Sequence, residues 1–135
     1  MDKTEARIKL AIDAMGSDLG PSEILEGVAQ AVELSPRNTE FLLYGQQDIL
    51  DPLITNHSIL SHSKVELIHC PEVVGMDEKP IAGIKAKKKS SMSLALQGLK
   101  DGDADAMLSC GNTGCLMAGG AIKLRTLEGI ERPAL

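Results

Sequence analysis

Short apolar segments alternate with amphipathic ones along almost the whole chain, and this alternation limits the possible folds more than any other feature. The apolar segments are residues 8–12, 40–45, 65–69 and 104–109. Four helical segments follow: 22–34 and 90–100 have apolar residues at helical spacing, 46–54 shows a weaker pattern, and 113–127 is apolar nearly all round. Strand followed by helix, four times over, predicts an α/β fold in which an open, mostly parallel sheet carries helices on both faces.

The length of the chain, 135 residues, is that of one domain. We expect residues 1–135 to form a single α/β unit of about four βα repeats. Gly102 is the predicted end of one helix, and a loop rich in Pro and Gly is predicted from Pro71 to Gly83. The sequence ends near Arg132 as if a further strand were beginning, so we expect the unit to be truncated.

The composition disfavours two classes of function. The formal net charge is −5, and one Phe, one Tyr and no Trp leave few rings for stacking, so no nucleic-acid partner is expected. No apolar stretch reaches the roughly 18 to 20 residues of a membrane-spanning helix, and the charged N-terminus does not resemble a secretory signal. Three cysteines without framework spacing favour reduced thiols in a cytoplasm.

Three polar or Gly-rich loops follow predicted strands: 13–20, 71–91 and 109–114. Because parallel strands end at the same edge of a sheet, these loops are expected to converge on one crevice.

The third of these loops carries two cysteines, which raise the hypothesis of a thiol site. Cys110 and Cys115 are five residues apart, which is neither redox nor zinc spacing, and His57, His62 and His69 show no metal-ligand spacing. No metal site is therefore predicted. Cys115 falls in the first turn of a helix, where the dipole lowers a thiol pKa, so a reactive thiol stays as the weaker alternative.

The same loop also fits an anion site. Gly111 and Gly114 allow the backbone to approach a ligand closely, and Asn112 or Thr113 can cap the following helix. The first amides of that helix then suit a phosphate or a developing oxyanion. An ordinary turn with the same residues remains the alternative.

A lysine run precedes another predicted helix start. Lys85 and 87–89 stand before Ser90 and Ser91, and charge joined to hydroxyls at a helix N-terminus describes a phosphate site. The alternative is a solvated face.

Two carboxylates follow the first predicted strand. Asp13 and Asp18 flank Gly16, and they either orient lysines or hydroxyls or simply cap the loop.

Together these stretches resemble the PlsX phosphate acyltransferases, the fatty acid/phospholipid synthesis proteins of bacteria. The matching stretches are 12–21, 72–77, Lys87-Lys88 with Ser90-Ser91-Met92, 109–114 and 132–135. The likeness spans residues 8–135 in the family's order. Cys110 and Cys115 stand where the family usually has alanine or another small residue, which implies that neither thiol serves its chemistry. Ser17 and Lys89 also depart from the pattern.

The resemblance implies a fold similar to the isocitrate/isopropylmalate dehydrogenase and phosphotransacetylase group. It implies transfer of a fatty acyl group from acyl carrier protein to inorganic phosphate, giving an acyl phosphate for phospholipid synthesis, without a cofactor. It also implies a homodimeric, cytoplasmic enzyme, peripheral at the inner membrane face through regions outside this chain. Because family members are longer, the chain is expected to be their N-terminal part and inactive by itself.

The resemblance also implies roles for individual residues. The expected catalytic residues are Lys88, Asn112 and Thr113. The expected phosphate- or thioester-binding residues are Asp13, Gly16, Asp18, Lys87, Ser90, Ser91, Gly111 and Gly114. Two alternatives stay open, which are a phosphate acetyltransferase-like enzyme that uses a coenzyme A thioester and a non-catalytic phosphate-binding module.

Overall fold

The computed structural model describes residues 7–35, 38–62 and 64–134. The strands are β1 (Ile8–Asp13), β2 (Thr39–Gly45), β3 (Val65–His69) and β4 (Ala106–Leu108). The α-helices are α1 (Pro21–Leu34), α2 (Gln47–Thr55), α3 (Pro80–Ala86), α4 (Ser91–Asp101) and α5 (Thr113–Lys123), with a 3-10 turn at Leu60–His62.

The four strands form one parallel sheet in the order β3-β2-β1-β4, with Leu10 opposite Phe41 on one side and Ala106 on the other. Alternate strand residues supply two apolar layers. One face joins Ile12 and Phe41 to α1 and α2, and the other joins Ala11 and Leu42 to Ala95 of α4. The predicted parallel α/β sheet with helices on both faces is confirmed.

The connections reverse direction beside β1. The chain moves outward from β1 to β2 and β3, and then crosses back to place β4 on the other side of β1. In open α/β sheets, such a reversal leaves a crevice at the carboxyl ends of the two strands where ligands bind. The loops after β1 and β4 flank this crevice.

A helix that the sequence pattern did not predict, α3, begins inside the expected 71–83 loop and extends to Ala86. Pro80 occupies its first turn, where a fixed φ and a missing N–H fit without loss. A Cβ placed on Gly83 would lie 3.1 Å from Sγ of Cys115, so the helix packs closely on α5. The sequence did not predict α3 because its seven residues are too few for a clear helical periodicity.

Two elements are shorter than expected. Strand β4 covers Ala106–Leu108 instead of 104–109, and the carboxylate of the preceding Asp105 accepts a hydrogen bond from the Lys9 amide. Helix α5 ends at Lys123 instead of Leu127, and Arg125 then takes a positive φ of 63°. The strand expected near Arg132 is absent from the described residues 125–134.

Candidate functional site

Asp13 ends β1 with its carboxylate buried and accepts three hydrogen bonds. The hydroxyls of Ser91 and Ser109 donate to it at 2.6 and 2.8 Å, and the Met15 amide donates at 3.3 Å. Ser91 begins α4 and Ser109 follows β4, so one carboxylate joins three segments that are distant in the sequence. These contacts agree with the hypothesis that the carboxylate orients hydroxyls.

The loops after β1 and β4 touch through their backbones at Gly16 and Gly111. A Cβ on Gly16 would lie 2.5 Å from Oδ2 of Asp13 and 3.0 Å from Cα of Gly111. Real Cβ atoms do not approach a carboxylate this closely, so both contacts need the absence of a side chain. The structure therefore brings two of the predicted site residues, Gly16 and Gly111, into direct contact.

Asn112 caps α5 and also holds a second loop. Its Oδ1 accepts a hydrogen bond from the Cys115 amide at 3.0 Å. Its Nδ2 donates to the carbonyl oxygens of Gly75, Met76 and Glu78 at 3.0, 3.2 and 2.8 Å. Both ends of this side-chain amide are thus engaged within the protein, and the residue is only 8% exposed.

The first turn of α5 keeps two amides without an acceptor. Among the described residues, the N–H groups of Thr113 and Gly114 form no hydrogen bond, whereas the Gly111 amide donates to Ser109 Oγ at 3.1 Å. Thr113 is also exposed. The helix dipole adds partial positive charge at this end, so the pair of amides suits an oxyanion.

Ser90 and Ser91 are buried rather than open to an anion. Ser90 caps α4, and its hydroxyl oxygen accepts a hydrogen bond from the Ser93 amide at 3.1 Å. The single hydroxyl proton of Ser91 is donated to Asp13. Both serines organise the N-terminus of α4 in this structure, and their predicted contact with phosphate stays a prediction.

The lysine run divides into different environments. Lys87 donates from Nζ to the carbonyl oxygen of Val73 and to Oε2 of Glu78, both at 2.8 Å. This hydrogen bond from Lys87, followed by one from the Gly75 amide, lowers the pKa of Glu78 below its ordinary value. Lys88 is exposed and, within the described ranges, forms no hydrogen bond or ion pair.

Asp18 is exposed in the β1–α1 loop and shows no polar contact with the other candidates in the described part of the chain. The structure therefore does not join it to the cluster around Asp13.

The thiols do not form a reactive pair. Cys115 is buried, and that burial, with the charge of Glu78 nearby, raises its pKa. The expectation that the helix dipole lowers this pKa is wrong, because desolvation of the thiolate outweighs the dipole. Burial, and then the charge of Asp13, raises the pKa of Cys70 to about 12, whereas Cys110 is exposed.

The described residues contain no group of three or more His, Cys, Asp or Glu side chains that could hold a metal ion. His57 pairs with Glu26 at 3.2 Å, and His69 Nδ1 accepts the Gln47 amide at 3.1 Å. The side chain of His62 lies outside the described residues. Within the described residues, no helix is long and apolar enough to cross a membrane.

An open parallel sheet with unpaired helix-terminal amides at its topological reversal defines an α/β protein with a candidate oxyanion site. The chain belongs to the family described as "Fatty acid synthesis protein", whose family model matches residues 8–135. The predicted family resemblance is thereby confirmed.

Curated relatives carry the name "Phosphate acyltransferase". One from Idiomarina loihiensis is 43% identical over 128 residues, covering 95% of this chain and 37% of that protein. One from Aeromonas salmonicida is 44% identical over 126 residues, covering 93% of this chain and 37% of the relative. One from Lysinibacillus sphaericus is 44% identical, with 95% and 37% covered. The chain thus spans little more than a third of the length of these relatives.

The sequence did not predict a role for two residues that help to build the candidate site. Ser109 begins the 109–114 loop and carried no predicted role, although it joins the Gly111 amide to Asp13. Glu78 directly follows Asp77 in the 71–91 loop, where acidic residues without regular spacing carry no local signal. A Glu nine positions before Lys87 has no helical or strand register that predicts the ion pair.

Proposed function

We propose that this protein transfers a fatty acyl group from acyl carrier protein to inorganic phosphate, and that the N-terminus of α5 binds the reacting anion. The unpaired amides of Thr113 and Gly114 at the topological reversal carry this proposal. Membership of the fatty acid synthesis family and the names of the relatives support it.

The reaction needs positioning and charge stabilisation rather than a protein nucleophile. A phosphate oxygen attacks the thioester carbonyl carbon, a C–O bond forms, and the carbonyl oxygen becomes an oxyanion. Collapse of this intermediate breaks the C–S bond, and the thiolate leaves and takes up the proton that phosphate releases. Fixed amides near such an oxyanion or the phosphate act without reorganisation during the step.

The residues divide by what remains available for substrate. Thr113 offers an exposed hydroxyl and an amide, and Lys88 offers an exposed ammonium group for the phosphate charge. Asn112 was expected to be catalytic, but in this proposal it positions α5, because its amide is engaged at both ends. Asp13 likewise acts through Ser91 and Ser109.

The donor and assembly follow from the family resemblance. Acyl carrier protein is the proposed donor partner, inorganic phosphate the acceptor, and a homodimer the proposed assembly. We place the enzyme in the cytoplasm, peripheral at the inner membrane face.

A donor assay tests the activity. The assay uses the protein purified from its source organism and, in parallel, the 135-residue chain. Each is incubated with one of three thioesters, an acyl-acyl carrier protein, a long-chain acyl coenzyme A or acetyl coenzyme A, with and without phosphate. Thiol release is measured, and acyl phosphate is trapped with hydroxylamine. Phosphate-dependent acyl phosphate formation from the carrier-protein thioester is expected. Thiol release without phosphate, or turnover of acetyl coenzyme A alone, would contradict the proposal.

Lys88→Ala tests the proposed phosphate contact in the same assay. The KM for phosphate should rise about tenfold, as for loss of one charge-assisted hydrogen bond, while the KM for the thioester changes little. Lys85→Ala removes an equal charge from the exposed end of α3 and serves as the control. An unchanged KM for phosphate in Lys88→Ala returns the lysine run to a solvated face.

A further inference from the structure

Lys87 and Glu78 fasten the loop of residues 73–78 from one side. The Lys87 ammonium spans 2.8 Å to the Val73 carbonyl oxygen and 2.8 Å to Glu78 Oε2, which also accepts the Gly75 amide. The two charged side chains are 37% and 24% exposed, so the pair is partly shielded from water. Two of the three protons of the Lys87 ammonium are thus committed to the loop.

Asn112 fastens the same loop from the other side. Its Nδ2 bonds the carbonyl oxygens of Gly75, Met76 and Glu78, while its Oδ1 caps α5 through the Cys115 amide. A side-chain amide is planar, so the orientation that satisfies the loop carbonyls also fixes where Oδ1 points. The position of the loop and the geometry of the first turn of α5 are therefore coupled through one residue.

We propose that Glu78 and Lys87 are positioning residues for the anion site at the N-terminus of α5. They hold the 73–78 loop where Asn112 can cap the helix, and the cap leaves the amides of Thr113 and Gly114 open in a fixed direction. Lys87 therefore positions the loop and is not itself a phosphate ligand. This inference rests on the proposed anion site.

A positioning role and a direct phosphate-binding role for Lys87 predict opposite effects of removing the Glu78 side chain. If Lys87 binds phosphate directly, Glu78→Ala frees the ammonium group and removes a negative charge near the anion, so phosphate binds more tightly. If the pair positions the loop, Glu78→Ala releases the Gly75 amide and Lys87, the loop becomes more mobile, and phosphate binds more weakly. Glu78→Gln keeps an oxygen acceptor and removes only the charge, so it tests whether geometry is what matters.

The experiment titrates the ¹⁵N-labelled 135-residue chain with inorganic phosphate and follows the amide signals of Thr113 and Gly114. Glu78→Ala and Lys87→Met should each weaken phosphate binding about tenfold, and the double variant should be no weaker than either single one. Glu78→Gln should stay within about twofold of the native chain. Lys85→Met, an equal loss of charge at an exposed position of α3, is the matched control.

Amide hydrogen exchange without phosphate supplies the second measurement. Exchange of the Gly75 and Cys115 amides should be faster in Glu78→Ala and Lys87→Met than in the native chain and in Lys85→Met. Tighter phosphate binding in Glu78→Ala, or unchanged exchange at Cys115, overturns the inference. If the native chain shows no phosphate response, the proposed anion site is wrong, and the exchange rates then decide whether the pair holds the loop.

Discussion

The hydroxyl of Ser91 donates a 2.6 Å hydrogen bond to Oδ1 of Asp13, which lies 78 residues earlier in the chain. Both side chains are buried. Ser109 approaches the other carboxylate oxygen at 2.8 Å and also accepts the Gly111 amide. The carboxylate that ends β1 is therefore the point where the start of α4 and the loop after β4 are fastened to the centre of the sheet.

Asp13→Ala should destabilise the chain by about 3 kcal/mol, because it leaves the buried Ser91 hydroxyl, the half-buried Ser109 hydroxyl and the Met15 amide without their acceptor. Asp18→Ala removes the same charge from an exposed position of the same loop and should change the unfolding free energy by less than about 0.5 kcal/mol. Urea denaturation followed by circular dichroism measures both. Equal stability of the two variants would show that the Asp13 contacts contribute nothing net.

Asn112→Asp separates the two tasks of this side chain. Aspartate caps helices as well as asparagine does, so a residue that only caps α5 should tolerate the change. A carboxylate placed against the carbonyl oxygens of Gly75, Met76 and Glu78 is repelled and has no N–H to give them. The variant should lose about 2 kcal/mol in denaturant unfolding. Native-like stability would assign Asn112 a capping role alone.

Gly16→Ala and Gly27→Ala should change stability in opposite directions. The new Cβ at position 16 meets the Asp13 carboxylate and the Gly111 backbone, an overpacking that costs about 1–3 kcal/mol. The Cβ at position 27 meets nothing within 4 Å on α1, and alanine raises helix propensity there by about 0.5–1 kcal/mol. Melting temperatures of the two variants check this, and a stabilised Gly16→Ala would mean that the loops are not in contact.

The three cysteines should react at very different rates with a thiol reagent at pH 8. Cys110 is exposed, whereas Cys70 and Cys115 are buried with raised pKa values. A pKa of about 12 leaves only about 10⁻⁴ of Cys70 as thiolate at pH 8. The native chain should label rapidly at Cys110 alone, Cys110→Ser should not label rapidly, and denaturant should expose the remaining thiols. Fast labelling of native Cys110→Ser would revive the thiol hypothesis at Cys115.

The sequence by itself determined the order and type of most elements. Alternating apolar runs predicted the parallel strands, and local chemistry predicted a helix start near Ser90, a cap at Asn112 or Thr113, and a helix end at Gly102, which has a φ of 83°. These signals are readable because capping and left-handed turns involve residues within four positions of one another. The predicted parallel direction of the strands then placed the three polar loops at one edge of the sheet.

Tertiary structure alone decided how the candidate site is assembled. Whether Lys87 or Lys88 is free for an anion depends on Glu78, and whether Asn112 can reach a substrate depends on carbonyl groups more than thirty residues earlier. Ser109 and Asp13 meet only because β4 returns to lie beside β1. The sequence shows which chemistry a polar side chain can perform. The partner of each N–H group and oxygen is the group that the fold brings within hydrogen-bond distance, and that partner has no fixed spacing along the chain.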